Sequence, residues 1–220
     1  MPGKFHHEQL YRGNVLARLA ETPIVLCGAG AIGSNLADNL ARHGATRLSV
    51  IDDDRVEEHN VSTQLYGEDE VGLWKVEALQ ARLFRAVGVE IAPVRKRLDE
   101  RNAGKLLRGA ALVIDAFDNH ASRAAVQSAA RAAGVACLHV GLHADYAEIV
   151  WDEHYRVPPD PTTADDVCDY PLARNAVLLA ATVATEAILR DVGEVGGAAR
   201  SGWSLTLGDL CITPLEAAVG

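Results

Sequence analysis

The run Ile24-Val25-Leu26-Cys27, followed at once by Gly28-Ala29-Gly30-Ala31-Ile32-Gly33, constrains this chain more than any other feature. A short buried-strand run opens into G-x-G-x-x-G, and helical periodicity begins directly afterwards, with Ile32, Leu36 and Leu40 on one face from Ser34 to His43. Gly44 is the stop signal of that helix, and Arg47 to Ile51 reads as a second strand ending in Asp52, Asp53 and Asp54. The whole is a β–turn–α–β unit of about thirty residues, the size of a right-handed crossover. In such a turn Gly28 allows the tight bend, Gly30 lets an anion approach the backbone, and Gly33 lets helix and strand pack closely. The helix start adds unpaired N–H groups and a partial positive charge, which suits a phosphate. Asp52 stands about 20 residues on, where an acid commonly meets a ribose hydroxyl.

The same alternation continues. Helical patterns cover His7–Ala20, Trp74–Val87, Ala103–Leu107 and Ala121–Ala133, and strand patterns cover Ile91–Val94, Ala111–Ala116 and Val135–Gly141. Strands and helices in this order predict an α/β, Rossmann-like fold, its sheet mostly parallel with helices on both faces. Tyr146–Trp151 and Ser204–Thr213 read as later strands forming a small antiparallel extension, and Pro171–Leu189 as a long helix. Pro158, Pro159 and Pro161 make Asp152–Tyr170 a loop, and Gly193–Gly202 a flexible hairpin or linker. With 220 residues the expectation is a single domain, 1–220, in which 23–141 form the nucleotide-binding core. Residues 142–220 then supply a crossover loop, the long helix and the last strands.

Charge and cysteine usage narrow the class. The net charge is −9 and no basic footprint is clustered, so nucleic acid is not an expected partner. Cys27, Cys137, Cys168 and Cys211 show no C-x-x-C spacing, which argues against a zinc ribbon, and Cys27 and Cys137 fall in apolar runs expected to be core. His139, His143 and His154 lack metal-ligand spacing, and His139 on an apolar strand is expected to be a satisfied core or cleft residue. Met1 to Leu10 is polar, and no apolar stretch reaches spanning length without a charge. No membrane association and a cytoplasmic setting are therefore expected.

The residues from Val25 to Lys75 also carry a resemblance. They include Gly28-Ala-Gly-Ala-Ile-Gly-Ser34, Asp52-Asp-Asp-Arg-Val-Glu57, Asn60, Gln64 and Val71-Gly-Leu-Trp-Lys75. A second block, Asp115-Ala-Phe-Asp118-Asn119-His-Ala-Ser-Arg123, fits D-x-x-D-N-x-x-x-R. Together they resemble the ThiF/MoeB/HesA family, relatives of the ubiquitin-activating enzymes. The resemblance implies an ATP-dependent adenylyltransferase that activates the C-terminal carboxylate of a ubiquitin-like or sulfur-carrier protein, or of a peptide, as an acyl-adenylate. It also implies a homodimer. On this resemblance Lys75 faces the phosphates, Asp118 holds Mg²⁺, Asp52 and its neighbour Asp54 meet the ribose, and Asn60 and Gln64 lie near the phosphates. Arg123 braces the Asp118 loop, and Asp53 faces solvent.

Two positions depart from the pattern or leave it open. Many relatives have Asn-x-x-Arg-Gln where this chain has Asn60-Val-Ser-Thr63-Gln64, so a fixed phosphate cation is missing at Thr63. Arg12 and Arg18 of the N-terminal helix are the candidates to compensate, Arg12 first, because in relatives an N-terminal arginine can reach the ATP of the other subunit. Cys168 lies in the Pro/Asp-rich loop before the long helix, where some relatives carry an acyl-accepting cysteine. A helix start lowers a thiol pKa, while Asp166 and Asp169 act in the opposite sense. The competing readings are an NAD- or FAD-dependent oxidoreductase on the same fold, which has no use for Lys75 and Asp118, and a nucleotide-binding pseudoenzyme resulting from Thr63.

Overall fold

The computed structural model describes residues 3–159, 171–193 and 200–215. Helix α1 (His6–Glu21) leads into β1 (Ile24–Cys27), and α2 (Ala31–Arg42) follows from the glycine turn. Strand β2 (Leu48–Ile51) is next, then two 3₁₀ turns, α3 (Lys75–Val87), β3 (Ala92–Val94), the short α4 (Ala103–Leu106) and β4 (Leu112–Asp115). The chain continues through α5 (His120–Ala133), β5 (Ala136–His143), β6 (Tyr146–Trp151), α6 (Arg174–Gly193), β7 (Gly202–Thr206) and β8 (Cys211–Leu215). Helices α3 and α5 both end on a left-handed glycine, Gly88 and Gly134, the conformation that stops a helix at no steric cost.

The strands form one sheet in the order β3-β2-β1-β4-β5-β6-β7-β8. Strands β1 to β5 pair in parallel, and β5-β6, β6-β7 and β7-β8 are antiparallel. The chain leaves β1 towards β2 and later returns to the other side of β1 as β4. Their carboxyl ends therefore define the crevice where such sheets bind ligands.

Alternation along each strand divides the interior into two cores. Ile24, Leu26, Leu112, Ile114, Leu138 and Val140 face a large core closed by α1, α2, α3 and α6. Val25, Cys27, Val113 and Cys137 face a smaller one closed by α4 and α5. Burial pushes both Cys27 and Cys137 thiols well above the usual range, which makes them packing residues rather than nucleophiles. Helix α6 is alanine-rich on its buried side, with Ala176, Ala180, Ala181, Ala184 and Ala187 all buried, and so lies close against α2.

Most elements end within two residues of the sequence expectation, and three elements depart from it further. Helix α2 begins at Ala31, three residues before Ser34, because it starts within the glycine turn itself. Helix α6 begins at Arg174 because Pro171 to Ala173 are held by strand-like bonds to Ala144, and it runs on to Gly193. The single strand expected over Ser204–Thr213 is a hairpin. Its chain reverses at Leu207–Leu210, where Leu210 N–H returns to the Leu207 carbonyl and Leu210 has φ +48.

The glycine turn shows where space is structural and where it is open. Gly28 has φ +99, and a Cβ there would stand 2.9 Å from the Ala116 carbonyl oxygen. A Cβ on Gly33 would stand 2.0 Å from the Gly28 carbonyl oxygen, whereas one on Gly30 would meet nothing within 4 Å. Gly28→Ala and Gly33→Ala are each expected to lower stability by about 3 kcal/mol, read from urea denaturation midpoints. Gly30→Ala is expected to stay within about 0.5 kcal/mol of the parent. Equal losses at all three positions would contradict this division.

Candidate functional site

The loop from β1 to α2 is anchored by an acid. Asp52, just past β2, accepts the Ala29 N–H through Oδ2 (2.7 Å) and the Asp54 N–H through Oδ1 (2.8 Å). Burial pushes its pKa up, although Lys75 and the two N–H donors work in the opposite direction. Tyr66 O–H donates to the Ala29 carbonyl from the far side at 2.7 Å. The turn is thus clamped at Ala29, while Gly30 carries no side-chain cap and leaves the first turn of α2 without one.

Lys75 is the first residue of α3 and is buried. A short antiparallel clamp puts it there. Val56 N–H bonds to Leu73 O (2.8 Å), Gly72 N–H to Val56 O (2.8 Å) and Lys75 N–H to Asp54 O (3.0 Å). Its Nζ donates to Asp54 Oδ2 at 2.9 Å, while the Asp54 side chain remains 66% exposed. Burial lowers the lysine's pKa, but Asp52, Asp54 and Asp118 together outweigh burial and hold it above the usual value. Lys75 is therefore a permanent cation at neutral pH, and Asp118 is close enough to contribute to its field. Asp118 is exposed and sits one residue before Asn119, whose side chain caps α5 by accepting the Ser122 N–H at 2.9 Å. Asp53 is exposed, as the sequence suggested.

The segment 57–66 closes over the start of α2. Asn60 is buried, and its Oδ1 accepts the Glu57 N–H at 2.9 Å, so this amide shapes the loop. Asn35 Nδ2 donates to the Thr63 carbonyl at 3.2 Å, and Leu65 N–H donates to Ser34 Oγ at 3.1 Å. Gln64 Oε1 is buried and has no hydrogen-bond partner among the described residues. Arg174, opening α6, donates to the Ser62 carbonyl at 3.0 Å. Ser34, Asn35, Tyr66 and Arg174 were missed by sequence reasoning. Each acts on a residue distant in the chain, so only the fold reveals them.

Arg12 is placed differently. Its Nη1 donates to Glu186 Oε2 at 2.7 Å, and its Nε lies 3.2 Å from Glu8. Glu186 is about 18 Å further along α6 than Arg174, at 1.5 Å per residue. Within one chain Arg12 is thus committed to α1 and α6, and Arg18 similarly donates to the Gly193 carbonyl. Cys168 lies outside the described residues.

Behind the Asp118 turn lies a buried polar network. Asp115 accepts the Phe117 N–H (3.1 Å), and its Oδ2 lies 2.8 Å from His139 Nδ1 and 3.5 Å from Arg123 Nη1. His139 Nε2 lies 3.2 Å from Asp152 Oδ1, and its ring stacks on Tyr155 at 3.8 Å. Arg123 donates to the Tyr155 hydroxyl and to the Val140 carbonyl, both at 2.9 Å. Burial raises the Asp152 pKa, but hydrogen bonds from Arg131 and Gln127 outweigh it and hold this carboxyl below the usual range. Arg123 thus braces the turn from within. His139 is a satisfied core residue, and among the described residues no three His, Cys, Asp or Glu side chains converge as a metal site.

An open glycine turn at the switch point of the sheet, with a buried lysine among carboxylates beside it, places the chain in the doubly wound α/β class. The chain belongs to the ThiF family, whose pattern it matches over residues 6–169. It is similar to the SAMP-activating enzyme E1 of Haloferax volcanii, with 33% identity over 129 residues, covering 57% of this chain and 47% of that enzyme. The sulfur carrier protein ThiS adenylyltransferase of Bacillus subtilis is 31% identical over 146 residues, covering 63% of this chain and 44% of that protein. The chain thus spans less than half the length of these relatives. Its fold overlays on E. coli MccB solved with ATP at a TM-score of 0.80, with 17% identity, covering 97% of this chain and 71% of that one.

Replacing Lys75 by Met tests the electrostatics of the site. Asp52 would lose its strongest opposing cation, so its pKa should rise further, measured by carboxyl NMR titration. A carboxyl whose folded pKa exceeds its unfolded value costs stability when ionised. The variant should therefore be less stable at pH 7, by about 1–2 kcal/mol because the Asp54 partner is largely solvated. The deficit should shrink as pH falls through the Asp52 pKa. A deficit that grew on acidification would refute the pairing.

Proposed function

We propose that this chain is an ATP-dependent adenylyltransferase that activates a C-terminal carboxylate as its acyl-adenylate. One domain running through the chain would carry the reaction, with the nucleotide held in 23–141. The substrate would be the tail of a ubiquitin-like or sulfur-carrier protein, or of a peptide. Supporting this reading, two relatives are by name a SAMP-activating enzyme and a ThiS adenylyltransferase, and a protein of the same fold was solved with ATP. The single observation that carries it is Lys75, a buried and permanently charged ammonium among Asp52, Asp54 and Asp118, beside a glycine turn open only at Gly30.

The residues present fit a nucleotide. Open space over Gly30 allows a phosphate to approach the backbone, and Gln64 Oε1 is a buried acceptor in want of a donor, which a hydroxyl or amino group would supply. Asp52, already fixed by two N–H donors, retains lone pairs for a ribose hydroxyl. Asp118 is the exposed carboxylate that would hold Mg²⁺ arriving with the phosphates, an ion that usually takes one or two carboxylates together with phosphate oxygens. Bound there, the ion would neutralise phosphate charge.

The reaction is an in-line exchange at phosphorus. A carboxylate oxygen attacks the α-phosphorus, the bond to the bridging oxygen breaks, and pyrophosphate leaves with the electron pair. No proton needs to move, so Lys75 serves as a fixed charge rather than a base. From its buried position it would stabilise the negative charge that builds towards the leaving group. A homodimer, and Cys168 as an acyl acceptor, belong to the same proposal by family resemblance.

ATP–pyrophosphate exchange in the presence of candidate carrier proteins tests this. Lys75→Ala and Asp118→Ala are each expected to cut exchange about 10²- to 10³-fold. Exchange that neither substitution changes would remove the assignment.

A further inference from the structure

The candidate site is short of positive charge. Asp52, Asp53, Asp54 and Asp118 gather at the ends of β2 and β4, and the buried ammonium of Lys75 is already paired to Asp54. A triphosphate adds several negative charges to this rim. Its inner phosphate has the open helix end at Gly30, while its outer phosphates have Lys75 alone among the residues assigned above, and Asp54 already partly neutralises that ammonium. Thr63, in the loop over that helix end, carries none, and Arg12 and Arg18 are bonded to Glu186 and Gly193 on the far half of α6.

Arg174 is the cation the fold brings to this place. Its guanidinium donates one N–H to the Ser62 carbonyl at 3.0 Å and makes no carboxylate ion pair among the described residues. The loop it touches is tied to the first turns of α2 through Asn35 to Thr63 and Ser34 to Leu65, and to the glycine turn through Tyr66 to Ala29. Gln64, with its unpartnered buried oxygen, is two residues from Ser62. The backbone behind Arg174 is held as firmly. Ala144, at φ +53, accepts the Ala173 N–H and donates to the Pro171 carbonyl, at 3.0 and 2.9 Å.

Its position is not what α6 itself would select. A cation in the first helical turn opposes the helix dipole, whereas an acid there would favour it. An arginine can nevertheless keep the Ser62 carbonyl on one N–H and turn the rest of its planar fork to phosphate oxygens, which a lysine does less well.

We propose that Arg174 is a phosphate-binding residue that grips the outer, leaving phosphates of the nucleotide from the start of α6. This rests on the ATP-using reading above. The Ser62 carbonyl orients the guanidinium, so the loop over α2 and the first residue of α6 together complete the far end of the phosphate site.

The test is equilibrium binding of ATP and of AMP to the full chain and to Arg174→Gln and Arg174→Lys. Arg174→Gln is expected to weaken ATP about tenfold, the loss of one charge-assisted contact, and to leave AMP within twofold, which also certifies the fold. Arg174→Lys should recover part of the ATP affinity, and the parent's ATP affinity should fall more steeply with salt than that of Arg174→Gln. Equal losses for ATP and AMP would make Arg174 a brace of the loop and overturn the proposal, as would no loss for either. If the parent bound AMP and ATP equally or bound neither, the ATP-using reading itself would fall, an outcome distinct from a parent that prefers ATP with an indifferent Arg174.

Discussion

The contact between the end of β1 and the end of β4 governs the molecule. Gly28 approaches the Ala116 carbonyl so closely that a single methyl group would collide with it. Gly33 is pressed as tightly onto Gly28 from the helix side. These approaches fix α2 over the sheet and bring the glycine turn next to the Asp115–Asp118 turn. Both turns leave the same edge of the sheet because β1 and β4 are parallel neighbours. Every feature of the candidate site is arranged around that edge.

Electrostatics then decides what can occupy it. The rim is acidic and carries one buried lysine, which its three carboxylate neighbours keep charged despite its burial. A bare polyanion would be repelled by such a rim, whereas an anion that brings its own divalent cation meets both a carboxylate and an ammonium. The overall charge of −9 makes this local arrangement the more telling, since no general basic surface attracts phosphate. The Asp115–His139–Asp152 chain behind the turn, with Arg123 across it, satisfies nearly every buried polar atom there. This gives the turn that carries the exposed Asp118 a stiff base.

Helix α6 links the two halves. Its first residue touches the loop over α2, its alanine-rich side packs on α2, and its later turns hold Arg12 and Arg18 of α1. The antiparallel strands that follow extend the same sheet, so the C-terminal part shares the core that positions the glycine turn. This is why a residue after 142, Arg174, reaches the loop over α2, although the recognisable motifs all lie before it.

Period and local chemistry made much of this legible in advance. The apolar run Ile24–Cys27, the spaced glycines and the helical stripe of Ile32, Leu36 and Leu40 specify a parallel unit with a phosphate-type turn, because each signal acts within a few residues. Lys75, Asp52 and Asp118 were recognisable as candidates from the motifs around them. Which polar side chains would shape loops could not be read in the same way. Asn60 turned inward to cap its own turn, and the hairpin at Leu207–Leu210 was hidden in a continuous β-like run. By itself the sequence determined the order of elements, the glycine turn and the acids at the strand ends. Only the tertiary structure decided that Arg174 stands at Ser62 while Arg12 goes to Glu186, and that His139 joins Asp115 to Asp152, because such pairings depend on how distant segments pack and leave no local pattern.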